Sequence, residues 1–539
     1  MKQAIYTEKT ECRDCYKCVR ECPVKAIRVK DSMAIVDHER CIFCGCCVHV
    51  CPSRAKRVRR DLPRAKQLLS LKERVFVSLA PSFPAYFSQP AGSLIRTFEA
   101  LGFSGVSETA LGADVVTQLQ NEYVMSERGK PENPAGEVFL SSACPPVVEL
   151  IRKYYPEMTK NLAPFHSPMV AHGQLLRSWY GDDIGVVFVG PCIAKKHEAD
   201  EYPDIIDVAL TFREAAEWMG NEGVADPGDR EPGIKSEESR IEPRKPGTKS
   251  GDRIGSAGFV PAESSVSRIY PVEGGMKAAM EESSGTALSL FSQSGIRSVN
   301  RSLKAYASYN GTPGVFCELL SCPGGCLEGC GFGSSAPLAE RYGSIVEFAR
   351  NRVDSENGHI AARFDVSSPV FRRSYTGQPV KDGSEYSEAE ILDALRRLGK
   401  SNREDLRDCG GCGYNTCREF AGAWLSGMAE KEMCVTEMRK LAQKKAHELI
   451  RKIPLGIALI DNEEKIVECN ALFLSMLCDF EQEPNEEQVT RVYGTAASNF
   501  LDEPHLVRTV LTRKVSMEKI LRKNGKVLES HCFVIQPGR

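Results

Sequence analysis

The 539-residue chain has no stretch approaching the roughly 18 uninterrupted apolar residues of a membrane span. Its opening, MKQAIYTEKTECRDC, lacks the apolar core of an export signal. Net charge is nearly absent as well: 70 Lys and Arg stand against 72 Asp and Glu, a balance of −2. Without a field of one sign, nothing draws the chain to nucleic acid or to an anionic bilayer. These absences lead to the expectation of a soluble, cytoplasmic protein with neither nucleic acid nor membrane as partner. Length excludes a single core, and about three to five domains are expected.

What is abundant is cysteine, at 22 residues. In a reducing compartment, dense cysteine binds metal more often than it forms disulfides. Nine cysteines fall within residues 12–51, four within 317–330 and four within 409–434. Residues 1–60 hold a repeat, CRDCYKCVRECPVKAIRV and then CIFCGCCVHVCPSRAKRV. Cys12, Cys15, Cys18 and Cys22 follow the spacing C-x2-C-x2-C-x3-C-P, and Cys41, Cys44, Cys47 and Cys51 repeat it. This is the bacterial ferredoxin run for 4Fe–4S clusters, in which the fourth cysteine of each run serves the other cluster. One cube is expected on Cys12, Cys15, Cys18 and Cys51, the other on Cys41, Cys44, Cys47 and Cys22, leaving Cys46 spare. Cys409, Cys412, Cys417 and Cys434 give C-x2-C-x4-C-x16-C in a glycine-rich loop, which suits a further cube. Zinc is the alternative at both places.

Between these groups, short apolar runs each lead into a turn of small residues: RVFVSLAPSFP, EVFLSSACPP, GVVFVGPCIAKK and GVFCELLSCPGGC. Helical patterns such as LIRTFEALGF and FREAAEWMG alternate with them. This order predicts parallel sheets, whose ligands sit at the carboxyl ends of the strands. Cys144, Cys192, Cys322 and Cys326 each follow such a strand, and together they supply the four thiolates of a buried cube. Residues 222–258, polar and rich in Gly and Pro, are expected to form a disordered insertion. CVTEMRKLAQKKAHELIRKI predicts a helix with an apolar stripe through Val435, Met438, Ala442 and Leu449.

At these residues the sequence resembles the FeFe-hydrogenase family. SSACPPVV, VGPCIAKKHE and ELLSCPGGC look like its three ordered signatures, and LAPSFPA and GADVV fall where it has matching segments. The resemblance covers about residues 1–400. It implies that Cys144, Cys192, Cys322 and Cys326 hold the cube of the H-cluster, with Cys326 also bridging to a diiron subsite. Lys195 matches the lysine that donates to an iron-bound cyanide; without that match it reads as a solvated surface lysine. Ala80, Pro81 and Ser82 match a loop closing over the other cyanide, and Ser167 a further supporting position. Glu198, three residues beyond Lys195, is placed to pair with it on one helical face. IPLGIALIDNEEKIVECNALFLSML resembles the opening of a PAS domain.

The resemblance also marks what is missing. Ala143 stands where catalytic members have the cysteine that accepts the first proton. Gln120 stands for a relay glutamate and Ala163 for a serine. Gly190 and Leu320 stand for methionines packed on the diiron site, and Glu122 lies one position off a second relay glutamate. Cys317 and Cys330 read as core or incidental thiols, and Cys469, Cys478 and Cys532 have no assigned role. Electron delivery therefore looks intact and proton delivery dismantled.

The expected architecture is multidomain α/β and α+β. Residues 1–62 form a bicluster ferredoxin-like domain, and residues 70–380 a two-lobed α/β H-cluster domain with parallel sheets. Residues 385–435 form a small helical 4Fe–4S domain, 436–449 a linker helix and 450–539 a PAS-like α+β domain. The pattern is most similar to the sensory, PAS-linked FeFe-hydrogenases. Expected partners are H2 and protons, a redox protein such as ferredoxin, hydrogenase maturation proteins, and a signalling protein in trans, because no kinase, cyclase or DNA-binding segment follows. A homodimer through the linker helix and tail is also expected. A catalytic, ferredoxin-linked hydrogenase and a non-catalytic iron–sulfur scaffold without the diiron subsite are the alternatives.

Overall fold

The computed structural model describes residues 3–127, 138–221, 258–261, 264, 267–284, 289–306, 315–333, 336–350, 368–380, 386–478, 484–501, 504–513, 516–523 and 526–533. Most of the expected insertion, residues 222–257, lies outside the described residues. The chain divides into two compact units, Met1–Glu430 and Lys431–Arg539.

The cysteine repeat folds as two matching halves. Strands β1 (Ile5–Thr7), β2 (Ile27–Lys30), β3 (Met33–Val36) and β4 (Lys56–Val58) make two antiparallel pairs, β1 with β4 and β2 with β3. Short helices, Lys17–Glu21 and Cys46–His49, follow the two cysteine loops. Left-handed backbone recurs at matching positions of the halves: Asp14 and Phe43, Tyr16 and Gly45, Lys25 and Arg54. Five of these six are not glycine, and each such residue costs about 1 kcal/mol or more. Loops that carry this strain turn successive backbone N–H groups inward and form the concavities that hold anions and iron–sulfur clusters.

The middle region contains β5 (Val75–Leu79), β6 (Gly105–Glu108), β7 (Val138–Leu140), β8 (Gly185–Gly190), β9 (Val208–Thr211), β10 (Ser289–Ser294) and β11 (Val315–Leu320). They form two parallel sheets, ordered β6-β5-β8-β9 and β10-β11-β7. All residues of β5, β6, β8 and β9 are buried, as expected when helices cover both faces of a parallel sheet. Each buried Val, Leu or Phe there contributes about 1.5–3 kcal/mol of transfer free energy. Register decides what meets at the strand ends. Leu79 pairs with Val189, so the Ala80–Ser82 loop emerges beside Gly190–Cys192. Cys317 pairs with Leu140, which brings the turn carrying Cys144 alongside the one carrying Cys322.

In the second unit a helix, Val435–Lys452, precedes β12 (Ala458–Ile460) and β13 (Ile466–Cys469), an antiparallel pair. Asn470 caps the next helix, Ala471–Leu477: its Oδ1 accepts from Phe473 N at 2.9 Å, and its Nδ2 donates to Leu455 O at 2.7 Å. A hairpin of β14 (Met517–Lys523) and β15 (Lys526–Cys532) follows. Cys469 belongs to the core of this unit, and Cys478 packs against that core. The predicted stripe on helix Val435–Lys452 is exposed at Val435, Met438 and Leu449.

Candidate metal centre

Two cages form in the repeat. Burial pushes the Cys18 thiol up to about 11, with Lys56 opposing and the thiols of Cys12, Cys15 and Cys51 adding to the rise. Burial likewise pushes Cys47 well up, with Cys41 and Cys22 adding to it. Cys44 is raised by its bond to Cys46 and by burial, and Cys22 contributes again. Cys22 thus lies near Cys41, Cys44 and Cys47, and Cys51 near Cys18. Cys46 is the exception, lowered to about 7 chiefly by its bond with Cys44.

A third cage lies at the ends of β7, β8 and β11. Burial raises Cys144 to about 12, and Cys192 adds to it. Burial also raises Cys322, with Cys192, Cys326, Cys330 and Cys144 adding. Cys326 is raised by burial, Cys192 and Cys144, with Lys195 opposing. Four buried thiols that repel one another's charged forms become thiolates only around a positive core.

The chain presents these groups through local backbone devices. Cys144 caps helix Pro145–Tyr154, and its sulfur accepts from Ser321 N at 3.4 Å. Cys192 accepts from the backbone N–H groups of Ala194 and Lys195. Gly325, at φ +96°, lets Cys326 N donate to Pro271 O at 2.7 Å; a Cβ there would lie 2.2 Å from that oxygen. Among the described residues, no three His, Cys, Asp or Glu donors converge tightly enough to share one ion.

Beside the third cage, Lys195 is 8% exposed, so it is not a solvated surface lysine. Its Nζ donates to Ser167 Oγ at 2.8 Å and Glu198 Oε2 at 2.7 Å, and Ser167 Oγ donates to Glu198 Oε2 at 3.0 Å. An ammonium has three N–H donors, so one remains for a further acceptor. Ala80 and Ser82 are buried at the end of β5, with Pro81 partly exposed between them. Gly190 is forced, because a Cβ there would meet the Phe188 ring at 2.5 Å and Ala80 Cβ at 2.9 Å.

Leu320 is buried at the end of β11. Ala163 and Ala143 belong to one apolar cluster that also holds Leu119. Gln120 is completely buried, and neither atom of its amide has a hydrogen-bond partner among the described residues. Glu122 is exposed and accepts from Gln118 at 2.8 Å, away from this cluster. Cys317, within β11, is buried in the core. Cys330 presses on the second cage loop: its sulfur donates to Cys44 O at 3.6 Å, and a Cβ on Gly45 would lie 2.8 Å from it.

Sequence reasoning missed the groups that join the cages. Lys153 Nζ donates to Cys41 O at 2.7 Å, Tyr154 OH to Arg40 O at 2.8 Å, and Phe43 stacks on His197 with ring centroids 3.9 Å apart. Nothing in local spacing marks such pairs. Lys196 was also missed. It is 1% exposed, 3.0 Å from Asp61 and 2.8 Å from Glu214. Residues 57–67, RVRRDLPRAKQ, anchor the repeat to the middle region: Arg59 bonds Asp61 at 2.9 Å and Asp200 at 2.6 Å.

Residues 11–55 match the 4Fe-4S dicluster domain family and residues 407–436 an Fe-S cluster family. The molecule is an iron–sulfur protein. Residues 73–330 match the family described as iron only hydrogenase large subunit, C-terminal domain, so this region is a hydrogenase-type domain. The cofactors that go with these domains are 4Fe–4S clusters and the diiron subsite of the H-cluster. Iron hydrogenase 1 of Clostridium pasteurianum is 24% identical over 371 residues, covering 60% of this chain and 61% of that one. Cytosolic iron-sulfur assembly component 3 of Pongo abelii is 26% identical over 297 residues, covering 49% and 61%. The chain thus spans about three fifths of either relative. A solved [FeFe]-hydrogenase HydA1 variant from Chlamydomonas reinhardtii aligns at a TM-score of 0.41 and 15% identity, covering 60% of this chain and 100% of that one. Among the described residues no helix is long and apolar enough to cross a membrane.

Proposed function

We propose that the protein is a slow, H2- and redox-responsive FeFe-hydrogenase whose cubes report to the tail. Cys144, Cys192, Cys322 and Cys326 hold the cube of the H-cluster, and Cys326 bridges to the diiron subsite. The repeat holds two cubes, on Cys12, Cys15, Cys18 and Cys51 and on Cys41, Cys44, Cys47 and Cys22. Cys409, Cys412, Cys417 and Cys434 hold a fourth. When bound, the diiron subsite supplies heterolytic cleavage of H2. Lys195 offers its third N–H to a cyanide ligand, while Ser167 and Glu198 hold its other two in a dry site. Ala80, Pro81 and Ser82 close over the opposite side.

One observation carries the reading. The Lys195–Ser167–Glu198 triad is complete, whereas the proton side consists of Ala143, Ala163 and a Gln120 amide without a partner among the described residues. A site so built binds H2 and passes electrons faster than it releases protons. Residues 450–539 act as a PAS-like relay to a signalling protein, and the exposed stripe on helix Val435–Lys452 pairs with a second copy. Maturation proteins load the diiron site in the cytoplasm, and ferredoxin is the redox partner.

Infrared spectra of the anaerobically matured chain, with and without H2, test this. Carbonyl and cyanide bands that shift under H2, with slow turnover, are the expected result. Fast turnover with the same bands makes the protein an ordinary catalytic hydrogenase. Absence of such bands in a chain with all cubes loaded favours a scaffold, a reading that the matched iron–sulfur assembly component supports.

A further inference from the structure

The loop carrying Cys409, Cys412 and Cys417 is fastened to the dicluster half of the first unit at four points. Arg20 uses one guanidinium for two carbonyls: Nη2 donates to Cys15 O at 3.1 Å and Nη1 to Gly411 O at 3.3 Å. Lys25 Nζ donates to Gly413 O at 2.6 Å and to Val19 O and Arg20 O, each at 3.3 Å. Those last two are end carbonyls of helix Lys17–Glu21, groups with few partners inside the helix. Val29 N donates to Met428 O at 3.0 Å, and Glu430 accepts from Asp31 N at 2.6 Å and Ser32 N at 3.1 Å. Gly413, at φ +98°, would place a Cβ 2.7 Å from Val19 Cγ1 and 3.2 Å from Arg20 N, so the two backbones touch.

Helix Lys17–Glu21 therefore serves three cages. It carries Cys18 of the first and leads directly into Cys22 of the second, and Arg20 and Lys25 grip the loop at Cys409–Cys417. Arg20 links the carbonyl of a ligand, Cys15, to that of Gly411, whose peptide bond leads into Cys412. Lys25 lies in the electrostatic reach of both Cys22 and Cys412. The second cage also meets the hydrogenase domain, where Gly45 lies against Ile193 and Cys330.

We infer that Arg20 and Lys25 are the positioning residues that make the cluster loop at Cys409–Cys417 a branch of the dicluster domain, so that electrons from the hydrogenase site reach it through helix Lys17–Glu21. The inference rests on the reading that the cages hold cubes that H2 reduces. H2 gives two protons and two electrons; each electron moves singly, oxidising the cube it leaves and reducing the one it enters, and no bond forms along Arg20. Cys15, an exposed residue, remains a separate exit for a soluble redox partner.

Electron paramagnetic resonance on the full matured chain tests this, with the signal of the cluster at Cys409–Cys417 assigned by difference from Cys409→Ser. In dithionite-reduced protein that signal is expected to be split by spin coupling to the dicluster cubes. After rapid mixing with H2, Arg20→Leu and Lys25→Met, each with wild-type iron content, are expected to slow its reduction about tenfold and leave the dicluster signals at the wild-type rate. Arg20→Lys, which keeps the charge and cannot span two carbonyls, should behave like Arg20→Leu. An uncoupled signal, or wild-type rates in all three variants, overturns the inference while leaving the proposed function standing. Coupling present in a chain whose cubes H2 never reduces overturns the proposed function and upholds the branch.

Discussion

Restoring three proton-carrying side chains together, Ala143→Cys with Gln120→Glu and Ala163→Ser, is expected to raise H2 turnover of the matured protein by about 10²-fold or more. A positioned acid–base group contributes about 10²–10⁴ to such a step, and the wild-type residues offer two methyls and an amide in its place. The buried Gln120 amide has no described partner, and an unsatisfied group of that kind costs about 1–3 kcal/mol. Ala143→Cys alone should move turnover in the same direction. Turnover unchanged in both variants, with wild-type infrared bands, would mean that protons already leave by another route and that slow turnover has another cause.

Lys196→Met is expected to destabilise the first unit by about 3–5 kcal/mol, read as a lower urea midpoint, because it leaves Glu214 buried without its cation and Asp61 dependent on arginines alone. Surface pairs such as Arg491–Glu487 should lose well under 1 kcal/mol on the same treatment. The pH dependence has a definite sign. Burial raises the Asp61 carboxyl, but Lys196 and Arg59 outweigh it and hold the group below its ordinary 3.8. Glu149 is held below 4.5, with burial again outweighed by Lys153 and Arg152. The native state therefore binds fewer protons than the unfolded chain. This stabilisation is complete above about pH 5 and lost as pH falls through the depressed native values. In Lys196→Met the acid-side loss should begin at higher pH. A midpoint that is flat down to about pH 3 would show that these carboxylates are not tied to folding.

The ends of the strands are legible in the sequence. Strand ends could be placed because apolar runs stop abruptly at AlaProSer, SerSerAlaCys and GlyProCys, and parallel register then brings those ends together. The crossed pairing of Cys22 and Cys51 followed from the doubled spacing, and the Lys195–Glu198 contact from helical periodicity. What stayed hidden was long-range and polar. Lys196 reads as a solvated lysine because its partners, Asp61 and Glu214, lie far away in the sequence. Arg20 and Lys25 sit in a basic, solvent-like stretch and act on carbonyls, which have no side-chain signal at all. Gly190 looked like the loss of a methionine; in the fold, Phe188 and Ala80 already occupy the room that a side chain would need.

The helix Lys17–Glu21 sets a limit on how this protein can vary. One inserted or deleted residue rotates everything beyond it by about 100° and shifts it by about 1.5 Å. Because Cys18, Arg20, Cys22 and Lys25 point to different cages, such a change breaks several attachments at once, while most single substitutions there break one. In related chains that keep all the cages, the number of residues between Cys15 and Lys25 should therefore be more constant than their identities.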